Sequence, residues 1–231
     1  MTWLGVDLLR LPCITRRNLR QRVDTRGLER AWPAYSRGRG LICVTGHIGV
    51  FELIAHAASL WGYQVTEVAR PLAMAPVDEA VRALRSAGGV EVLAKWNVLW
   101  HLRRALGRGR VVGLTADETV RRNAVFVPFL GTLAATNPSP ALLHLASGAP
   151  LCVVTCHRVR RERYRIEVWD LFEHAPSGDR QADVEAIMTR INAALGRAIL
   201  ARPAQWFWGM RRYEHRPPGE QPGPDGLPPP A

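Results

Sequence analysis

Short apolar runs recur along the chain. Most end at a glycine or a polar residue, and several are followed by apolar positions at helical spacing. Leu41–Thr45 is a continuous apolar run closed by Gly46, which predicts a buried strand. Residues 49–61 carry Phe51, Leu53, Ile54, Ala57, Ala58 and Leu60, and Gly62 stops what reads as a helix. Further strands are expected at 64–69, 90–93 and 110–115, with helices at 76–87 and 96–106; Pro76 suits a helix start. Strand and helix alternating at this interval predict an α/β domain, with a central, mostly parallel or mixed sheet flanked by helices. The apolar stretch Val125–Gly131 contains Pro128 and reads as a loop or edge segment. A helix at 139–147, paired strands at 151–158 and 164–169, and a long amphipathic helix at 183–200 follow, with Asp179 as its N-cap. Residues 1–36 read as helical or irregular, and seven of the last fifteen residues are proline. The pattern divides the chain into a short segment at 1–22, one domain at 23–216 and a polyproline-like or disordered tail at 217–231.

Of the 231 residues, 47% are hydrophobic, which excludes a disordered chain. Lys and Arg number 31 against 20 Asp and Glu, a net charge of +11 that favours anionic partners: a membrane surface, a nucleic acid or a phosphorylated substrate. All but Lys95 of the basic residues are arginine, suited to bidentate contact with phosphate or carboxylate. No nucleic-acid motif is present, and the aromatics do not interleave with basic residues as a base-stacking surface requires, so no nucleic-acid partner is expected. No apolar run reaches the roughly 18 residues of a spanning helix. In residues 1–22 the apolar positions precede Arg10, Arg16, Arg17, Arg20 and Arg22, the reverse of a signal peptide, which fits an interfacial segment. The four cysteines form no metal-binding ladder and read as buried free thiols, with Cys152 and Cys156 on one strand face. No metal or cofactor is expected.

Candidate chemistry gathers in Thr45–Glu52. A strand ends at Gly46, His47 stands at the turn, and Glu52 lies in the first helical turn. In this arrangement one ring nitrogen of His47 accepts a proton while Glu52 holds the other N–H. Backbone N–H groups around Gly46–Gly49 could hold a phosphate or a developing oxyanion. Two residues that merely sit near each other in a core would look the same.

The chain resembles the bacterial lipid A biosynthesis acyltransferases of the lauroyl/myristoyl type, within the lysophospholipid acyltransferase-like superfamily. His47 and Glu52 match the His-x4-Asp/Glu motif; Gly49 is followed by Val50 where asparagine is usual. Arg70-Pro71-Leu72 and Arg85 with Gly88 fit the next block, and Ala116-Asp117-Glu118 stands where Asp-Gln is usual. Phe126–Gly131 resembles a Val-Pro-Phe-Phe-Gly segment. Pro203–Trp208 with Arg211-Arg212-Tyr213 resembles a C-terminal Pro-x-Gln-Trp-x-Trp-x-x-Arg-Arg signature. The ordered series runs from about residue 22 to 217, and fewer residues precede it than the family's hydrophobic N-terminal helix and following helical segment would occupy.

The resemblance implies a glycerolipid acyltransferase-like fold and an O-acyltransferase working at the cytoplasmic face of the bacterial inner membrane as a peripheral protein. The donor would be an acyl carrier protein thioester or acyl-coenzyme A. The acceptor would be a glycolipid resembling a lipid A precursor, among anionic membrane lipids. Alternatives are another phospho- or glycolipid acceptor, or an inactive member, which a blocked acyl groove or separation of His47 from Glu52 would betray. The resemblance makes His47 the general base and Glu52 its orienting carboxylate. Arg70, Arg85, Asp117, Glu118, Arg121, Arg122 and Arg158 are candidates for substrate binding; Phe126, Phe129, Trp206 and Trp208 are candidates for the acyl groove or a membrane interface, with packing in the core as the plainer role.

Overall fold

The computed structural model describes residues 2–69, 71–94 and 98–220. A helix α1 (Thr2–Arg10) and a short helix α2 (Leu19–Arg22) lead into strand β1 (Val23–Asp24) and helix α3 (Arg26–Tyr35). Then come β2 (Leu41–Thr45), α4 (Glu52–Trp61), β3 (Val65–Ala69), α5 (Ala75–Ser86), β4 (Glu91–Ala94), α6 (Val98–Gly107) and β5 (Val111–Thr115). A hairpin of β6 (Val125–Phe129) and β7 (Thr132–Thr136) precedes α7 (Ser139–Ser147), β8 (Leu151–Arg160), β9 (Arg163–Phe172) and α8 (Arg180–Ala201). Asp179 caps α8 by accepting from the backbone N–H groups of Gln181 and Ala182, as its position in the sequence implies.

Seven strands form one sheet in the order β1-β9-β8-β2-β5-β3-β4. All neighbouring pairs are parallel except β8–β9, so the sheet is mixed and mostly parallel. The Pro128 segment is an edge strand, in a separate two-stranded sheet where its missing N–H is harmless. The expected helix start at Trp96 and the tail beyond residue 220 lie outside the described residues.

The two sheet faces differ. Ile42, Val44 and Val112 are fully buried against a core that includes Leu102 and Leu106 of α6, Leu143 of α7 and Ile191 and Leu195 of α8. On the opposite face, under α4, Cys43, Thr45, Gly113 and Thr115 are only half-buried, although their strands are central. Residues 11–22 are built into the domain: Leu11, Ile14 and Leu19 are buried in the second core, while Val6 and Leu9 of α1 are exposed. Among the described residues no helix is long and apolar enough to cross a membrane.

Candidate active site

Strands β2 and β5 are adjacent and parallel, and their C-terminal ends release the chain toward opposite faces of the sheet, β2 into α4 and β5 toward the hairpin and α7. Such a switch point opens a crevice beyond the strand ends. His47 follows β2 by two residues and Asp117 follows β5 by two, so the paired register Thr45↔Thr115 brings the two together.

Asp117 has no exposed surface. Its Oδ2 accepts from the His47 backbone N–H at 2.7 Å and from the Trp206 indole N–H at 3.0 Å; its Oδ1 lies 2.9 Å from His47 Nδ1. An ionised carboxylate there fixes the neutral tautomer with the proton on Nδ1, leaving the Nε2 lone pair to accept. Burial pulls the His47 pKa down, but the Asp117 hydrogen bond and the charges of Asp117, Glu118 and Glu52 outweigh it, so it lies above the usual histidine value. Gly46 is required for this closeness: a Cβ there would stand 2.7 Å from Asp117 Oδ2.

The turn itself is held by the C-terminal segment. Gly49 N–H donates to the Gln205 carbonyl, Phe207 N–H to the His47 carbonyl, and Val50 N–H to the Cys156 carbonyl. The Gln205 side chain pairs with both backbone groups of Arg158, docking the segment on the edge of β8 as a strand would. Gly49 has φ of +60°, and a Cβ would sit 2.4 Å from the Cys156 carbonyl oxygen. This turn explains why α4 begins at Glu52 and not at residue 49.

Glu52 does not hold His47. Its two carboxylate oxygens take the Arg85 guanidinium at 2.6 and 2.9 Å, and Arg85 also lies 3.8 Å from Glu67. Burial, reinforced by the Glu52 charge and opposed by Arg85, pushes the Glu67 carboxyl up to about 7. Arg85, a candidate for substrate binding, is thus engaged by two carboxylates. Of the expected oxyanion donors, the N–H groups of His47, Ile48 and Gly49 have protein acceptors, as does that of Val50.

The other candidates divide clearly. Glu118 is exposed, with its carboxylate 3.7 Å from His47 Nε2. Arg158 lines a cavity of about 610 Å³ together with His47, Arg161 and Phe207, and it is paired with the buried carboxylate of Asp7 from α1, which also accepts from Tyr164. Arg121 is exposed and pairs with Glu214, and Arg122 is exposed; neither lines this cavity. Phe126 of the hairpin packs on His215, and Phe129 is buried between Trp206 and Arg212; neither is in the lining of the 610 Å³ cavity. Trp206 is buried beside His47 and Asp117 and lines the 610 Å³ cavity, whereas Trp208 is 61% exposed. Arg70 lies outside the described residues.

Residue reading missed Asp7, which carries no local signal, and Arg161. It also missed Gln205 and Arg212 as supports, although both stand in the quoted C-terminal signature. Arg212 is buried, donates to the Ala135 carbonyl and Thr136 hydroxyl at 2.6 Å, and lies over the Phe129 ring. Burial lowers its pKa to about 10. Among the described residues no cluster of His, Cys, Asp and Glu is arranged to hold a metal ion.

Residues 1–215 match the family described as bacterial lipid A biosynthesis acyltransferase. The chain belongs to this family. Within the lipid A acyltransferase family, it is 26% identical over 212 residues to the lipid A biosynthesis palmitoleoyltransferase of Escherichia coli, covering 87% of this chain and 65% of that protein. It is 24% identical over 208 residues to the phosphatidylinositol mannoside acyltransferase of Mycolicibacterium smegmatis, covering 87% and 65%. The corresponding protein of Mycobacterium tuberculosis is 28% identical over 210 residues, covering 87% and 63%. The chain therefore spans about two thirds of the length of these relatives. A solved structure, the 1-acyl-sn-glycerophosphate acyltransferase of Thermotoga maritima, is similar at a TM-score of 0.44 and 11% identity, over 87% of this chain and 81% of that one.

Proposed function

We propose that this chain is an O-acyltransferase that moves a fatty acyl group from a thioester donor to a hydroxyl of a lipid acceptor, with His47 as general base and Asp117 as its partner. The observation that carries the reading is the buried Asp117 carboxylate on His47 Nδ1, with His47 on the wall of the 610 Å³ cavity. Nε2 takes the proton of the acceptor hydroxyl as its oxygen attacks the thioester carbonyl. Collapse of the tetrahedral intermediate breaks the C–S bond, completes the ester, and returns the proton from imidazolium to the leaving thiol. Asp117 steadies the imidazolium in between. No backbone N–H of residues 47–50 is free for the oxyanion, so an arginine of the cavity wall, Arg158 or Arg161, is assigned that role. The separation of His47 from Glu52 does not argue for an inactive member, because Asp117 supplies the carboxylate.

The acceptor assigned is a glycolipid resembling a lipid A precursor. The relatives' names also include phosphatidylinositol mannoside, which keeps other phospho- and glycolipids as the alternative. The donor is an acyl carrier protein thioester or acyl-coenzyme A; either is acidic and suits a +11 protein. The same charge, with exposed Val159 beside the cavity and exposed Trp208, supports peripheral attachment to an anionic membrane, assigned here to the cytoplasmic face of the inner membrane.

The test is thioester consumption and product mass with the purified full chain, using both donor types against a lipid A precursor and phosphatidylinositol mannoside. Transfer to one acceptor that His47→Ala abolishes is expected. Transfer undiminished in a folded His47→Ala protein would overturn the mechanism.

A further inference from the structure

Arg85 and Arg212 are held in opposite ways. Arg85 spends its charge on two carboxylates. Arg212 is buried, and among the described residues no carboxylate pairs with it. Its two Nη atoms donate to the Ala135 carbonyl and the Thr136 hydroxyl, and its Nε has no hydrogen-bond partner among the described residues. Neither acceptor needs a cation. The Thr136 hydroxyl already accepts from the neutral amide of Asn192 at 3.2 Å. Burying a guanidinium costs free energy unless an opposite charge compensates it, so two neutral acceptors do not account for an arginine here.

The compensating charge lies behind a layer of two rings. The guanidinium stands 4.8 Å from the centre of the Phe129 ring, Phe129 is 5.8 Å from Trp206, and the Trp206 indole N–H reaches Asp117 Oδ2 at 3.0 Å. Asp117 is the carboxylate whose charge acts on Arg212. Both rings are buried, so water screens this pair far less than it would two surface charges. Asp117 needs the compensation as well. It has no exposed surface, and its donors, the His47 backbone and ring and the Trp206 indole, are all neutral while Nε2 is unprotonated.

We propose that Arg212 is the buried counter-charge of Asp117 and so a positioning residue of the active site: acting through Asp117, it keeps the His47–Asp117 pair from holding an additional proton. Its catalytic consequence rests on the acyl-transfer reading above. Charge alone sets the direction. The working pair carries one proton on Nδ1 and one negative charge. A further proton blocks the base, whether it sits on Nε2 or on the carboxylate, and removing a nearby cation favours that proton. The other charges around the pair stay in place when residue 212 changes. Glu118 and Glu52 act on His47, and Asp7, Arg158 and Arg161 line the cavity before it. On the Arg212 side stand Tyr213 and, against the hairpin, Arg216 paired with Glu220.

The test is the pH dependence of kcat/KM for the full-length wild type, Arg212→Met, Arg212→Gln and Arg212→Lys, alongside NMR titration of the His47 ring without donor or acceptor. Met and Gln remove the charge and should move the acidic limb and the ring titration to higher pH by about half a unit to one unit, opposite to Asp117→Asn. Lys keeps the charge and should hold both within about 0.3 unit of wild type, even where the changed hydrogen bonds lower stability. A limb and a titration that stay in place in folded Met and Gln variants would leave Arg212 a purely structural residue and overturn the inference. A stability cycle reads the pairing without any activity. Arg212→Met should raise the unfolding constant by about threefold or more less in an Asp117→Asn background than in wild type. If Arg212→Met alone does not fold, the double variant should; an equal cost in both backgrounds, or a double variant that also fails to fold, overturns the counter-charge. Should the wild type transfer no acyl group, the acyl-transfer reading falls, while the ring titration and the cycle still decide whether Arg212 compensates Asp117.

Discussion

Two carboxylates flank the β2–α4 turn, and their surroundings are opposite. Asp117 is fully buried, has no ion-pair partner but histidine among the described residues, and receives the His47 backbone, the His47 ring and the Trp206 indole. Glu52, five positions from His47 in sequence, is neutralised by Arg85, and the pair lines a separate cavity of about 100 Å³ under α4. A carboxylate already satisfied by guanidinium has little left to offer an imidazole, whereas one held only by N–H donors attracts its proton and charge. Proximity in sequence therefore points to Glu52, whereas adjacent parallel strands bring Asp117 into contact with His47.

The largest effect should come from His47→Ala, which removes the base and should lower kcat/KM by about 10³-fold or more, read from thioester turnover. Asp117→Asn should cost about 10²-fold or more and also alter the pH profile. Asp117 raises the His47 pKa, and the base must be unprotonated to act. Removing the charge should therefore move the acidic limb of kcat/KM to lower pH while lowering the plateau. Trp206→Phe deletes one hydrogen bond to Asp117 and should reduce kcat by about tenfold, a loss worth ~1.4 kcal/mol, with less effect on KM.

Glu52→Gln is the counterpart on the other side of the turn. It should lower turnover less than Trp206→Phe does, yet reduce stability by about 1–3 kcal/mol in denaturant unfolding, since it uncouples a largely buried pair. Glu67 gives the smallest and most specific signal. Its folded pKa is raised to about 7 from 4.5, so the folded state binds the proton more tightly than the unfolded chain does. The associated stability is fully present below pH 4.5 and is lost as pH rises to about 7, by up to about 3 kcal/mol. Glu67→Gln should remove that decline from a pH series of unfolding midpoints.

Much of the fold was legible because its signals are local. The run Leu41–Thr45, the proline at 76 and the Asp179 cap each act within a few residues, and the structure has β2, α5 and α8 where they place them. The site was less legible because its decisive contacts are distant in sequence. Asp117 meets His47 across 70 residues and Trp206 across 89. Asp7 reaches Arg158 across 151, through a helix whose sequence looks only amphipathic. Phe129 and Trp206, for which groove, interface and packing were all open in the sequence, are held by Arg212 and by Asp117, and Trp206 also lines the 610 Å³ cavity.

The most direct test of the account is a side-by-side measurement of kcat/KM for acyl transfer by wild type, Asp117→Asn and Glu52→Gln, each confirmed folded. The account predicts that Asp117→Asn loses about 10²-fold or more while Glu52→Gln stays within about tenfold of wild type. The reverse order, or an unimpaired Asp117→Asn enzyme, would contradict the assignment of Asp117 as the partner of His47.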